Sequence, residues 1–229
     1  MDNSDSFQLK ATPQIMGVLN VTPDSFSDGG RYLDKDAALK RIETLIRDGA
    51  DIIDIGAEST RPGSKPISAD EEIARLRPVL SVYKHHFDTP ISLDTQKAEV
   101  AEYGLNEGVR IVNDISAFSD SKMLSVLSKY QPKVCIMHMQ GTPKNMQDNP
   151  TYKNVVQDIL KYLNGKVDVC VSNGVSKDRI IIDPGFGFGK TLDHNYEILN
   201  QLEKFSCLGC RVLSGISRKS MIGNVLNKP

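Results

Sequence analysis

At seven places along the chain, side chains able to do chemistry stand just behind a short apolar run. Asn20 follows Ile15 to Leu19, Glu58-Ser-Thr-Arg61 follows Ile52 to Ile55, and Asp94 follows Ile91 to Leu93. Asn113-Asp114 comes after Ile111 and Val112, and His138 after Val134 to Met137. Asp183 comes after Ile180 to Ile182, and Ser217-Arg-Lys219 after Val212 and Leu213. A carboxylate accepts paired N–H bonds, a carboxamide offers one donor and one acceptor, and a lysine reaches a ring carbonyl or nitrogen. Asp94, Asn113, Asp183 and Lys219 gathered in one cavity therefore suit a flat, nitrogen-rich heterocycle, and burying them with no polar guest would be costly. Each also has a structural reading. Asn, Asp and Ser are ordinary helix N-caps, and a lone histidine such as His138 is more often a hydrogen-bonded strand-end residue than a catalyst.

Three loops add to this set. Asn20-Val-Thr-Pro-Asp-Ser-Phe26 combines a carboxamide, hydroxyls, a carboxylate, a proline and an aromatic, which makes a poor helix and a poor strand. Gly56-Ala-Glu-Ser-Thr-Arg-Pro-Gly-Ser64 carries Arg61 ahead of a Pro-Gly turn, a good clamp for an anion or a planar group. Asp183-Pro-Gly-Phe-Gly-Phe-Gly-Lys190 looks like a phosphate loop, but three residues separate Gly185 from Gly189 where a Walker A motif requires four. Nucleotide binding is rejected. The glycines instead let backbone approach a ligand, with Phe186 or Phe188 as an apolar wall.

The elements that position these groups alternate. Short β-branched runs are separated by stretches of helical period, the pattern of βα units in a parallel sheet. Leu39, Ile42, Leu45 and Ile46 predict a helix ending at Gly49. Ser68-Ala-Asp-Glu71 predicts a capping box ahead of a helix that Pro78 should bend. Further helices are expected around Val100 to Leu105, Leu124 and Leu127, Val155 to Leu163, Leu192 to Leu202, and from Ser217 to Leu226. Seven strand–helix pairs fit a TIM (β/α)8-type barrel better than an open sheet, with the eighth β/α unit absent from the sequence, which ends at Pro229. The expectation is a single domain over 1–229, either C-terminally incomplete or open at one seam. In a parallel barrel all strand ends share one face, and the active site is built there.

Composition narrows the partners. Lys plus Arg (28) balance Asp plus Glu (29), so no polybasic surface exists for nucleic acid or anionic lipid, and a small molecule is the expected partner. The polar N-terminus MDNSDSFQLKATPQ has no targeting pattern, and no run approaches the ~18 apolar residues of a membrane span, so a cytoplasmic protein is expected. Four cysteines are too few for a disulfide framework, and Cys207-Leu-Gly-Cys210 has no second pair or histidine cluster to complete a zinc site.

The motifs together resemble the dihydropteroate synthases of folate biosynthesis. IMGVLNVTPDSFSDGG (15–30) and DIIDIGAESTRPGS (51–64) are similar to that family's two loop signatures; SLDT (92–95), VNDIS (112–116), MHMQGTP (137–143), DPGFGFGK (183–190) and GISRKS (215–220) continue the match in order. The resemblance implies condensation of 6-hydroxymethyl-7,8-dihydropterin diphosphate with p-aminobenzoate, giving dihydropteroate and pyrophosphate through SN1-like loss of diphosphate. It implies Mg²⁺ at Asn20, and a pterin held by Asp94, Asn113, Asp183 and Lys219. Thr60 would contact the diphosphate-bearing substrate. Phe26, Arg61, Pro62, Phe188 and Ser220 would help form the aminobenzoate pocket, and Asp28 would steady the closed first loop. Asn20, Arg61 and Lys219 are the implied catalytic residues, and the family's last helices imply a homodimer. The family's final Arg-x-His lies beyond the last residue of this sequence. Two alternatives share the barrel: a pterin-binding methyltransferase domain, which has no use for NVTPDSF or TRPGS, and a non-catalytic pterin-binding module.

Overall fold

The computed structural model describes residues 13–22, 35–59, 65–143 and 145–226, apart from the side chain of Asn224. Seven strands form one parallel sheet in chain order: β1 (Met16–Asn20), β2 (Ile52–Gly56), β3 (Ile91–Asp94), β4 (Ile111–Asp114), β5 (Lys133–Met137), β6 (Ile180–Asp183) and β7 (Arg211–Val212). Between and after them come α1 (Lys35–Arg47), α2 (Ala69–Tyr83), α3 (Ala98–Asn106), α4 (Met123–Tyr130), α5 (Val155–Ser172), α6 (Leu192–Asn200) and α7 (Ser220–Leu226). The sheet curls far enough for Arg211 of β7 to donate to the Gln14 side chain at 2.8 Å, just before β1. These are seven units of a TIM-type barrel, the expected fold; among the described residues no strand pairs β7 with β1.

Alternation along each strand divides its side chains. Leu19, Ile53, Ile55, Ile91 and Leu93 turn outward into a core with Ile42 of α1, Leu76 and Leu80 of α2 and Val100 of α3. Val112, Val134, Ile136, Ile180 and Ile182 do the same against Leu127 of α4, Ile159 and Leu163 of α5 and Ile198 of α6. Each such residue, buried essentially completely, stabilises the fold by about 1.5–3 kcal/mol. Helix and sheet approach closely at Gly104, where a Cβ would stand 2.5 Å from Leu93 Cδ2. The residues in between, among them Asn20, Asp54, Ser92, Asp94, Asn113, Cys135 and Asp183, are left for the barrel interior.

Several boundaries differ from the sequence reading. The strands do not stop before their polar residues: the ladder runs through Asn20↔Gly56↔Asp94↔Asn113, because backbone pairing is indifferent to side-chain polarity. α2 contains Pro78 within its span, as the reading had it. Its capping box is half made, for Ser68 accepts from Glu71 N at 3.2 Å while the Glu71 carboxylate turns to Arg75 at 2.6 Å, a charged partner one turn on. The reciprocal box sits instead at Thr191 and His194, opening α6. α6 ends at Asn200, followed by a 3-10 stretch over Leu202–Leu208, and α7 starts at Ser220 because Arg218 takes a positive φ of 57° that no helix accepts.

Candidate active site

The C-terminal ends of the strands bring the predicted polar residues together. A Cβ added at Gly56 would lie 3.4 Å from Asp94 Oδ2 and 3.6 Å from Asn20 Oδ1, so this bare backbone position separates the two side chains by little more than a methyl group. Asn113, beside Asp94 in the ladder, donates its amide N–H to Asp54 Oδ2 at 3.2 Å. Across the barrel, Asp183 accepts from Gly185 N at 2.7 Å, and its Oδ2 would be 4.0 Å from a Cβ on Gly215. Lys219 Nζ lies 4.3 Å above the Phe188 ring and close enough to Asp183 to be felt by its carboxylate. Ser220 and Lys219 line a pocket of about 240 Å³ together with Gln147, Gly187 and Lys190. Phe26, Asp28, Thr60, Arg61 and Pro62 lie outside the described residues.

Burial dominates the electrostatics. It pushes the Asp183 carboxyl up to about 6, against the opposing pull of Gly185 N–H, Lys190 and Lys219. Asp94 is raised well above the usual carboxylate range, first by burial and then by Asp54 and other nearby acids. Burial likewise raises Asp54, with Ser92 and Asn113 opposing, and lowers Lys219. Among the described residues, three side-chain oxygens are buried without a hydrogen bond of good geometry: Glu72 Oε1 of α2, and Asp54 Oδ1 and Ser92 Oγ of the barrel interior. The strand ends thus gather desolvated acids on the interior face, with Lys219 at the edge of the adjoining pocket, a set suited to N–H donors and a carbonyl.

The structure also separates site from scaffold within the motifs. Asn113 faces inward, whereas its neighbour Asp114 turns the following loop: it accepts from Ser116 N at 2.8 Å and Phe118 N at 2.9 Å, holding Phe118 at a positive φ. Phe186 is core, and Phe188 is the residue beneath Lys219. His138 is a buried strand-end residue whose Nδ1 lies 3.1 Å from Lys190 Nζ. Cys207 and Cys210 are free thiols.

Two features escaped the sequence reading. Asp54 sits inside the apolar run of β2, where its inward register, two residues before Gly56, was the only signal. The second is an ion cluster just past the C-terminal end of β2. Lys97 bridges Glu58 at 2.5 Å and the fully buried Glu72 at 2.6 Å. Burial works against its charge, but the two carboxylates outweigh that and raise its pKa. Glu58 also accepts from Ile67 N at 3.1 Å, and Arg75 donates to Ala57 O at 3.0 Å, so both ends of the β2–α2 loop are tied to α2 and α3.

Fold and site define a barrel enzyme for a flat heterocycle, and residues 16–229 match the family model described as pterin binding enzyme. Closer relatives narrow this. The chain is 49% identical over 219 residues to the dihydropteroate synthase of Haemophilus influenzae, spanning 96% of this chain and 80% of that one. It superposes on the Yersinia pestis dihydropteroate synthase in a sulfonamide drug complex with a TM-score of 0.89 at 44% identity, covering 95% of this chain and 79% of that one. The Xanthomonas albilineans dihydropteroate synthase with 4-aminobenzoic acid gives a TM-score of 0.89 at 37% identity, covering 96% and 78%. The chain belongs to the dihydropteroate synthase family of transferases, as its motifs had indicated. No helix among the described residues is long and apolar enough to cross a membrane.

Proposed function

We propose that the chain acts as a single barrel domain that joins 6-hydroxymethyl-7,8-dihydropterin diphosphate to p-aminobenzoate, releasing pyrophosphate and 7,8-dihydropteroate. The observation that carries this reading is the meeting of Asn20, Asp94, Asn113, Asp183 and Lys219 at one barrel mouth. The pterin's amino-pyrimidinone edge donates N–H bonds to the Asp183 and Asp94 carboxyls. Asn113, its amide turned by Asp54, supplies a further polar contact, and Lys219 meets the ring's oxygen or nitrogen edge. The C–O bond to diphosphate breaks with its electron pair leaving on oxygen, and the pterin delocalises the charge left on the methylene carbon. The aniline nitrogen then gives its lone pair to that carbon and loses a proton. The protein's part is to orient the partners, stabilise charge and exclude water from the cation, which suits residues fixed in a strand ladder.

Asn20 would hold Mg²⁺. Its exposed carboxamide, within reach of Asp94 across Gly56, is a hard oxygen donor, and no cluster of three His, Cys, Asp or Glu side chains exists among the described residues. That set fits an ion held chiefly by substrate oxygens and water rather than by a protein cage. When bound, the ion would neutralise charge on the departing diphosphate.

We assign the working protein to the cytoplasm, in keeping with four free cysteines, and to a homodimer. Leu192, Tyr196 and Leu199 form one exposed stripe on α6, beside exposed Ile222, Val225 and Leu226 on α7, and an apolar surface of this kind favours association.

The test is pyrophosphate release on mixing both substrates with Mg²⁺, comparing the wild type with Asn20→Ala and Lys219→Ala. Turnover that both variants retain in full would remove the assigned roles. Pterin binding without pyrophosphate release would favour a non-catalytic module, and binding of a methylated folate with no use of aminobenzoate would favour a methyltransferase domain.

A further inference from the structure

Lys190 closes the DPGFGFGK loop yet is no part of the reaction described above. It is 3% exposed, one of the most deeply buried charged side chains in the molecule. Its Nζ lies 2.9 Å from Phe188 O, 3.2 Å from His138 O and 3.1 Å from His138 Nδ1, three acceptors that offset in part the burial that lowers this lysine to about 7. The third acceptor requires a neutral imidazole. Burial supplies one, lowering His138 to about 3, and the contact with Lys190 assigns the ring proton to Nε2.

Two glycines show how tightly this loop seats on the end of β5. At Gly185, φ +74°, a Cβ would fall well inside contact distance of His138 O; at Gly189, φ +65°, it would be 2.5 Å from Gln140 O. Between them, Gly187 and Phe188 form the bed of Lys219. The Gly187 position would put a Cβ 3.3 Å from Lys219 Cδ, and the Phe188 ring underlies its ammonium. The carbonyl that Lys190 grips belongs to the residue whose ring carries Lys219.

We propose that Lys190 is a positioning residue for the heterocycle site: by fastening Phe188 to the end of β5 it sets where the Lys219 ammonium stands. The proposal rests on the pterin reading of the site. Other bonds hold the same loop, from Gln147 to Gly187 O at 2.6 Å, from Tyr152 to Gly189 O at 2.7 Å and from Gly187 N to Asn195 at 2.8 Å, so losing Lys190 shifts the loop rather than unfolding it. A methionine fills the same volume without the three bonds.

The experiment is a double-mutant cycle on the affinity for 6-hydroxymethylpterin, read by calorimetry with Lys190→Met and Lys219→Met singly and together. Acting through Lys219, Lys190→Met weakens binding about tenfold when Lys219 is present and less than twofold when it is already gone. A residue that merely supports the fold would cost the same factor in both backgrounds, and that additive result overturns the proposal. Should Lys190→Met fail to fold, Lys190→Gln, which keeps donors for the two carbonyls but loses the charge, takes its place; if neither folds, the residue serves the fold and the proposal falls. A wild type that binds no pterin overturns the pterin reading and this proposal together, whereas a binding wild type with additive losses removes this proposal alone.

Discussion

Asp183→Asn separates the chemistry of the site from its architecture. In the native chain Asp183 Oδ1 accepts from Gly185 N at 2.7 Å, and Oδ2 is left for the cavity. The backbone N–H can be satisfied only by an oxygen, so the asparagine must keep its carbonyl on Gly185 and turn its NH₂ to the cavity. Volume and the loop-forming bond survive, while an acceptor becomes a donor facing the N–H groups of the pterin. The loss is one hydrogen bond to a charged group, about 1.5–3 kcal/mol, or roughly 10- to 150-fold in affinity. A second signature follows from protonation. Burial holds Asp183 at about 6, and its ionised form is the charged acceptor for the ligand N–H. Wild-type affinity should therefore rise with pH through 6, being about tenfold weaker at pH 5 than at its plateau, whereas the variant should lack that step. Calorimetric titration with 6-hydroxymethylpterin between pH 5 and 8 measures both. A variant within twofold of wild type at pH 7.5, or one that keeps the step near pH 6, would refute the assignment of Asp183 as the charged acceptor.

Gly185→Ala should destabilise strongly, since a left-handed backbone alone costs about 1–2 kcal/mol and the new Cβ also overlaps His138 O; Gly49→Ala, with φ +103° and open space, should cost less in the same urea melts. Lys97→Met should cost about 3 kcal/mol or more, because it strands Glu72 in the interior with Glu58 beside it; a loss under 1 kcal/mol in chemical denaturation would show the cluster to be dispensable. His138→Gln probes pH. With the folded pKa near 3 and the unfolded value near 6.5, the unfolded chain binds the extra proton, so the histidine's share of stability is complete above pH 6.5 and drains away as pH falls toward 3. The stability gap between wild type and variant should shrink by roughly 2 kcal/mol from pH 7 to pH 5, and a constant gap in paired melts would contradict a buried neutral imidazole.

The barrel was legible because its signal is repetitive: a β-branched run of four or five residues, a helical stretch, then the same again. Site residues at strand ends were legible for a related reason, since Asn20, Asp94 and Asp183 each interrupt an apolar run and parallel pairing sends them all to one face. What stayed hidden depends on distance or on backbone detail. Lys97 meets Glu58 and Glu72 only after β3 and α3 have been placed against α2, and no local spacing announces it. Lys190 was in plain view within a rejected phosphate loop, but its role requires knowing that the loop crosses over His138. Asp54 was masked by the isoleucines around it, although an acid in an inward register has no bland explanation. The start of α7 was misplaced because Arg218 adopts a left-handed conformation that arginine rarely takes, so nothing in its identity forecasts it.

These hidden groups share a physical logic with the visible ones. The interior holds Asp54, Asp94 and Asp183 on adjacent or facing strands, all with raised carboxyl pKa values, and Asp54 and Ser92, neighbours in the ladder, each keep a buried oxygen without a hydrogen bond of good geometry. Desolvated acceptors that the protein leaves incomplete are a standing cost, offset by the apolar layers between sheet and helices. A ligand carrying N–H donors relieves that cost on arrival, whereas one lacking them leaves it in place, so the same arrangement supplies affinity and selectivity. It works only if the acceptors cannot relax toward one another. The ladder through Asn20, Gly56, Asp94 and Asn113 prevents that on one side, and on the other the glycine loop, clamped by Lys190 onto the end of β5, restrains Asp183 and Lys219.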